Sequence, residues 1–518
     1  MSKLTMSLQI NKRMLTGCFL FANAVSNSDA SIGMKWIQVA RSMLFIGPLV
    51  WAIAPATLAA EAASPLNPQV KTAVANISPK RIEGFVRTLV GFGTRHTFSE
   101  TESETHGIGA ARRWIERELQ ACSKAGGGRL QVTLDSHTPP VSERVPNPMP
   151  VVNVVATLPG THVLSKERLL VVSGHYDSRA SDVLDANISA PGANDDASGV
   201  AAVMEMACVL ADQELNATIV FMAVAGEEQG LLGSEHWAEQ ARLNKLRVEA
   251  MITNDIIGSP VGDSGQRDAR QVRLFADGLS PLLRLVLTSA RISTASKPSD
   301  ANTTDAIESV RLQVEAQART GGMSDFPTNQ LGRHLKTEGE RYLPGFTVNL
   351  IQRPDRYLRG GDHLPFLSRG FAAVRFTEPF ENFLHQHQDV RLQNGVQVGD
   401  LPEFVDFAYV ADVARINLAG LATLALAPAP PQNVRLETLA LTNDTTLRWV
   451  ANPEAEITGY RILWRDTSSA VWQQHRDVGN VLRSTLETLS KDNLIFGVQA
   501  LGRDGAASLP SYPLPLAR

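Results

Sequence analysis

The chain predicts an α/β fold, a mostly parallel twisted sheet flanked by helices, with a small β-sandwich at its C-terminal end. Three observations carry this expectation. Short β-branched apolar runs alternate with helix-period segments between residues 151 and 258, the order that builds crossover units and a parallel sheet. The polar residues of that region stand where the runs end, as they do when strand ends line a ligand crevice. A proline-rich break, LAPAPPQNV, then separates the region from a tail of short strand-like runs.

The elements follow in order. From Met34 the sequence reads MKWIQVARSMLFIGPLVWAIAPATLAAEAAS: Lys35 and Arg41 precede an apolar run from Met43 to Pro55, and small residues stand at Ala59, Ala60 and Ala62. This is the order of a secretory signal peptide. Residues 1–62 are therefore expected to be leader, the mature chain to start near residues 60–63, and the protein to be secreted or periplasmic. The apolar run is shorter than the roughly 20 residues a bilayer-crossing helix needs, so no permanent membrane span is expected. Residues 1–33 read as an over-extended start or an unusual leader. The lipobox-like Leu15-Thr16-Gly17-Cys18 has no apolar stretch before it.

Residues 63–428 form the main predicted domain. ISPKRIEGFVRTLVGF and THGIGAARRWIERELQAC have helical spacing; VVNVVATLPG and RLLVVSGHYDS read as buried strands. The helix SGVAAVMEMACVLAD, the strand TIVFMAVAGEE, the helix LLGSEHWAEQARL and the strand EAMITNDIIG complete the alternation. Residues 259–345 are polar and turn-rich and read as an insertion or lid. FTVNLIQ and FAAVRFTEP return as strands, and EFVDFAYVADVARINLAGLATLAL closes the domain as a helix. Residues 429–518 are short-stranded. With Trp449, Tyr460 and the entry PAPPQNV they resemble a fibronectin type III sandwich, although Leu494 stands where that family has its corner tyrosine. This tail holds no acid–base set, so it is expected to bind a protein or polysaccharide, or to act as a spacer. Removing it is expected to spare hydrolysis of small amides.

The chain has 518 residues, 43% hydrophobic and 20% charged, with a net charge of −4. That composition suits a soluble globular protein and argues against a nucleic-acid binder, which carries a basic excess. Only Cys18, Cys122 and Cys208 are present, with no CxxC pair, so a metal here must be held by His and carboxylate. Cys122 and Cys208 are compatible with a disulfide formed after export or with two buried thiols.

His175 and Asp177 (GHYDS), Glu227 and Glu228 (AGEE) and Asp255 (NDIIG) end three predicted strands, and Asp195 lies in the loop PGANDDASG. Two cations about 3.5–4 Å apart need a shared carboxylate plus one His and one acid each, and these residues supply all of that inventory except the second histidine. Asp177, two residues after His175, can accept the second ring N–H of the imidazole. Adjacent glutamates at a strand end point in different directions. One can ligate while its neighbour faces a water as general base. Taken singly, each such residue is more simply a turn or cap residue; Asn194 and Asp196 read as loop and helix-cap residues, and His236 and Trp237 as packing or surface residues.

At these motifs the sequence resembles the zinc-dependent aminopeptidases that include bacterial leucyl aminopeptidases and glutamate carboxypeptidases, over roughly residues 66–427. The resemblance implies the di-zinc exopeptidase fold, peptide substrates and two zinc ions. One ion would take His175, Asp195 and Asp255, the other Asp195, Glu228 and His385, with Glu227 as general base. HQHQD offers both His385 and His387; the family places its histidine four residues before an Asp, here Asp389, which selects His385. RGGDHLPF, with Asp362 and His363, resembles a family loop near the site. The implied function is an exported metallo-aminopeptidase. A carboxypeptidase or glutaminyl-cyclase-like transferase on the same fold, and a non-catalytic binding protein, are the alternatives; metal stoichiometry separates the first, and loss of ligands would mark the second.

Overall fold

The computed structural model describes residues 65–278 and 311–516, except 313 and 455. The leader and signal-peptide readings, and residues 279–310 of the proposed lid, lie outside the described residues. Three helices come first: α1 (Pro68–Ala75), α2 (Pro79–Gly91) and α3 (Gly107–Ala125). Asn67 and Ser78 cap the first two, their side chains accepting backbone N–H groups of Gln69 and Arg81, and a proline follows each cap. Then come β1 (Gln131–His137), β2 (Val151–Leu158), β3 (Arg168–His175), α4 (Ala197–Leu210), β4 (Thr218–Val224), α5 (Leu232–Leu243) and β5 (Arg247–Asn254). The remainder of this region is β6 (Gln271–Phe275), α6 (Pro327–Tyr342), β7 (Thr347–Ile351), α7 (His363–Ser368), β8 (Ala373–Thr377), the short pair β9 (Arg391–Gln393) and β10 (Val396–Val398), and α8 (Phe407–Leu426).

Eight strands form one sheet in the order β1-β2-β4-β3-β5-β8-β6-β7. The centre, β4-β3-β5-β8, is parallel, as the strand–helix alternation predicts. The joins β1–β2, β2–β4 and β6–β8 are antiparallel, so the sheet is mixed. Every residue of β4 is buried, which explains why its sequence TIVFMAV shows no polar alternation. The stretch read as a lid is partly core: β6 pairs with β8, and α6 packs against α8. That packing is close because Gly339 meets Ile416 and Gly420 meets Leu335; a Cβ at these glycines would stand 2.7 and 2.5 Å from those side chains. Helix α8 is long and apolar enough to cross a membrane by length and composition, yet 83% of that window is buried inside the protein. Its apolarity is that of a core helix.

A disulfide joins Cys122 of α3 to Cys208 of α4, so of the two states left open by the sequence the structure has the bonded one.

The tail forms two facing sheets. Strands β11 (Gln432–Leu436), β12 (Thr445–Val450), β15 (Arg483–Leu486) and β17 (Leu514–Pro515) make one, in the order β15-β12-β11-β17; β13 (Gly459–Asp466), β14 (Gln474–Gly479) and β16 (Leu494–Leu501) make the other, in the order β14-β13-β16. Leu447, Trp449 and Leu486 from the first meet Tyr460, Ile462 and Phe496 from the second. The tail is not loosely tethered. Arg465 of β13 reaches Asp325, before α6, at 2.6 Å, and the other oxygen of Asp325 takes Arg333 of α6 at 3.1 Å. All three side chains are buried, and Trp472 lies against both guanidiniums while its indole N–H donates to Gln330. A buried ion network thus crosses the proline-rich boundary before the tail.

Candidate metal centre

The parallel strands deliver the predicted residues to one rim. His175 is the last residue of β3, Glu227 and Glu228 follow β4, and Asp255 follows β5. Asp195 stands in the turn before α4, whose N-cap Asp196 accepts the Gly199 N–H and also that of His175 at 2.9 Å. Two glycines allow this approach. A Cβ at Gly199 would stand 2.2 Å from the Asn254 carbonyl, and one at Gly174 would stand 2.6 Å from backbone atoms of Gly199 and Val200. Buried Arg95 fixes the same loop from behind, donating to the carbonyls of Pro191 at 2.6 Å and Gly192 at 2.8 Å.

Two ligand groups share Asp195: His175 with Asp255, and Glu228 with His387. His175 Nε2 is 3.1 Å from Asp195 Oδ1 and 3.9 Å from Asp255 Oδ1. His387 Nε2 is 2.9 Å from Asp195 Oδ2 and 3.0 Å from Glu228 Oε1. Buried Glu228 Oε1 nonetheless makes no hydrogen bond. Donor atoms bound at about 2.0–2.2 Å in a tetrahedral shell stand about 3.3–3.6 Å apart, so atoms converging at about these distances fit a cation between them.

The last ligand corrects the sequence reading. His385 belongs to neither ligand group and stacks on Phe404 with ring centroids 3.5 Å apart. His387 takes its place because its backbone is left-handed, φ 49°, turning the chain so that the second histidine of HQHQ faces Asp195. Asp389, which selected His385 by spacing, instead accepts from the backbone N–H and hydroxyl of Ser181. His387→Ala should therefore lower the bound metal by at least half, while His385→Ala leaves it unchanged. Metal analysis of the two purified variants checks this, and the reverse pattern would restore His385.

Asp177 also differs in part from expectation. The His175 Nδ1 partner is the Asp177 carbonyl at 3.1 Å, whereas the carboxylate lies 3.6 Å from the same nitrogen. That carboxylate takes the backbone N–H groups of Glu227 at 3.3 Å and Glu228 at 3.1 Å, and the Thr97 hydroxyl at 2.9 Å. It ties the glutamate turn to the imidazole.

Three partners were not legible from motifs. Arg375 of β8, fully buried, lies 2.9 Å from Asp255 Oδ1. Burial alone would raise the Asp255 carboxyl, but this guanidinium and the His175 hydrogen bond hold it below its ordinary range. Its signal was an arginine inside the apolar run FAAVRF. Asp400 accepts the N–H groups of Asn194 at 2.8 Å and Asp195 at 2.7 Å; burial pushes it up to about 7. Nothing in the sequence marks Asp400, since its partners are backbone. Arg179 donates to Glu228 Oε2 at 2.8 Å and contacts His387 Nδ1 at 2.6 Å. Burial, together with the charges of Asp255, Glu228 and Asp362, raises Glu227 well above the ordinary carboxylate range. Asp362 is itself buried and pushed up to about 7. Such an accumulation of acids is what a bound cation relieves. His363 Nε2 donates to the Pro354 carbonyl, 2.7 Å away, and lies outside both ligand groups.

Among known proteins, residues 153–309 match the profile of Peptidase family M28. A probable zinc metalloprotease of Leptosphaeria maculans is 44% identical over 86% of this chain and 97% of its own. A probable zinc metalloprotease of Pyricularia oryzae is 44% identical over 86% of this chain and 84% of its own. Among solved structures, LapB from Legionella pneumophila is 19% identical, with a TM-score of 0.44, over 70% of this chain and 77% of that one.

Proposed function

Starting from the membership of this chain in Peptidase family M28, a family of zinc-dependent peptidases, we propose that it is an exported di-zinc aminopeptidase with Glu227 as general base. The observation that carries the reading is the pair of ligand groups sharing Asp195, with Glu227 adjacent to the ligand Glu228 and facing the same cleft. His175, Asp195 and Asp255 would hold one ion, and Asp195, Glu228 and His387 the other. Bound there, the ions would polarise a substrate carbonyl and lower the pKa of a water toward neutrality.

The rest is done by the chain. Asp177 and Thr97 fix the turn from which Glu227 reaches the cleft. With cations beside it, Glu227 would take a proton from the attacking water and return it to the leaving amine. Arg375 and Asp400 keep Asp255 and Asp195 aimed inward, the support that tunes such ligands. Hydrolysis of peptides with free and with blocked N-termini, with metal measured on the same sample, tests the reading. Two metals per chain and cleavage restricted to free N-termini are expected; one metal, or equal cleavage of blocked peptides, would overturn it.

The signal peptide expected at residues 34–62 underlies the proposed export, and the Cys122–Cys208 disulfide supports it, since such bonds persist in oxidising compartments. N-terminal sequencing of exported protein should find a start near residues 60–63. A membrane-bound product retaining residues 34–58 would oppose this. The C-terminal sandwich, of fibronectin type III type in this reading, is assigned a bracing and binding role toward protein or polysaccharide.

A further inference from the structure

We propose that the cleft beside Glu227 recognises a carboxylate of the peptide substrate through Arg359 and Arg144, a specificity that rests on the peptidase reading above. The cleft, about 430 Å³, is lined by three arginines, Arg144, Arg179 and Arg359, against two acids, Glu227 and Glu228. Glu228 belongs to a ligand group, and Arg179 is committed to the same group. Its Nε donates to Glu228 Oε2, its Nη1 to the Ala180 carbonyl, and its Nη2 contacts His387.

The other two guanidiniums keep unused donors. Arg144 is exposed, lines the cleft and donates through Nη1 to the Glu228 carbonyl at 3.0 Å, which anchors it there. Arg359 is exposed as well. Its nearest acid, Glu381, is 3.6 Å away and already holds Arg273 at 2.9 Å and Arg356 at 3.0 Å. A carboxylate satisfied twice leaves the third cation weakly held. The loop around Arg359 does not shield it, since Tyr357 and Leu358 are exposed beside it.

A guanidinium offers paired N–H donors that match a carboxylate, and the resulting charge-assisted bonds are shorter and stronger than neutral ones. In a concave site the field of such cations also concentrates anionic ligands. The carboxylate can come from the C-terminus of a short peptide or from an acidic side chain. An amide in either place has no charge for the arginines to meet.

The test compares kcat/KM for four tripeptides that share a free N-terminus: a free acid and its C-terminal amide, and Glu- and Gln-containing versions of that amide. We expect one acid to be preferred over its amide isostere by about 10- to 100-fold, the range for hydrogen bonds to charged groups. The pair in which the preference falls identifies the source. In Arg359→Gln and in Arg144→Gln the acid-to-amide ratio should drop below about threefold, with the loss mainly in KM. Equal cleavage of acids and amides by the wild-type protein, or an unchanged ratio in either variant, would overturn the proposal. Cleavage of none of the four would instead overturn the peptidase reading itself.

Discussion

Glu227→Gln should lose about 10²–10⁴-fold in kcat while keeping its full metal content, the range general base catalysis contributes. The amide keeps the size of the side chain and its place in the turn, because the contacts that hold the turn are the Glu227 and Glu228 backbone N–H groups on Asp177. Only the ability to accept a proton is removed. Glu228→Gln should differ in kind, since Glu228 belongs to one ligand group and its far oxygen anchors Arg179. That variant should lose metal as well as rate. Measuring kcat and metal content on both proteins separates the roles, and metal-replete Glu227→Gln with near-normal turnover would remove Glu227 from the mechanism.

Asp325→Ala should destabilise the folded protein by about 3–5 kcal/mol, the cost of removing one partner from a buried ion network. Asp325 is flanked by Arg333 and Arg465, and all three are out of solvent, so the alanine variant leaves two buried guanidiniums without a counter-charge. Burial already depresses Arg333 to about 10 even with the acid present. For the same reason a chain ending before residue 429 should melt well below the full-length protein, because Arg465 and Trp472 leave with the tail. Urea unfolding of the point variant and thermal unfolding of the truncation check both forms. A shift under about 1 kcal/mol, or an unchanged melting temperature, would show the tail to be separable after all.

The sequence made the strand ends legible because buried parallel strands are continuous apolar runs, and a polar residue at the end of one has few reasons to be there. His175, Glu227, Glu228 and Asp255 were found on that ground, and the structure brings them together with Asp195. Of the two histidines that HQHQD offers, spacing to Asp389 favours His385, whereas His387 is aimed at the centre by its own left-handed backbone, which spacing does not encode. Arg375 and Asp400 were missed for different reasons. An arginine inside an apolar strand such as FAAVRF is itself a signal of a buried charge partner; an aspartate whose partners are two backbone N–H groups leaves no pairwise trace. Likewise the proline-rich break marked where the chain changes character, but a boundary in sequence says nothing about side chains that reach across it, as Arg465 does.

The bond between Cys122 and Cys208 closes a loop of 86 residues, and that loop carries β1, β2, β3 and the site residues His175, Asp177 and Asp195. Seen from the unfolded chain, the crosslink removes conformations rather than adding contacts. Closure of a loop this long is worth about 4–5 kcal/mol in a chain-entropy account. The ensemble that must find the metal-binding arrangement is thereby already confined around two of its ligands before the sheet has formed.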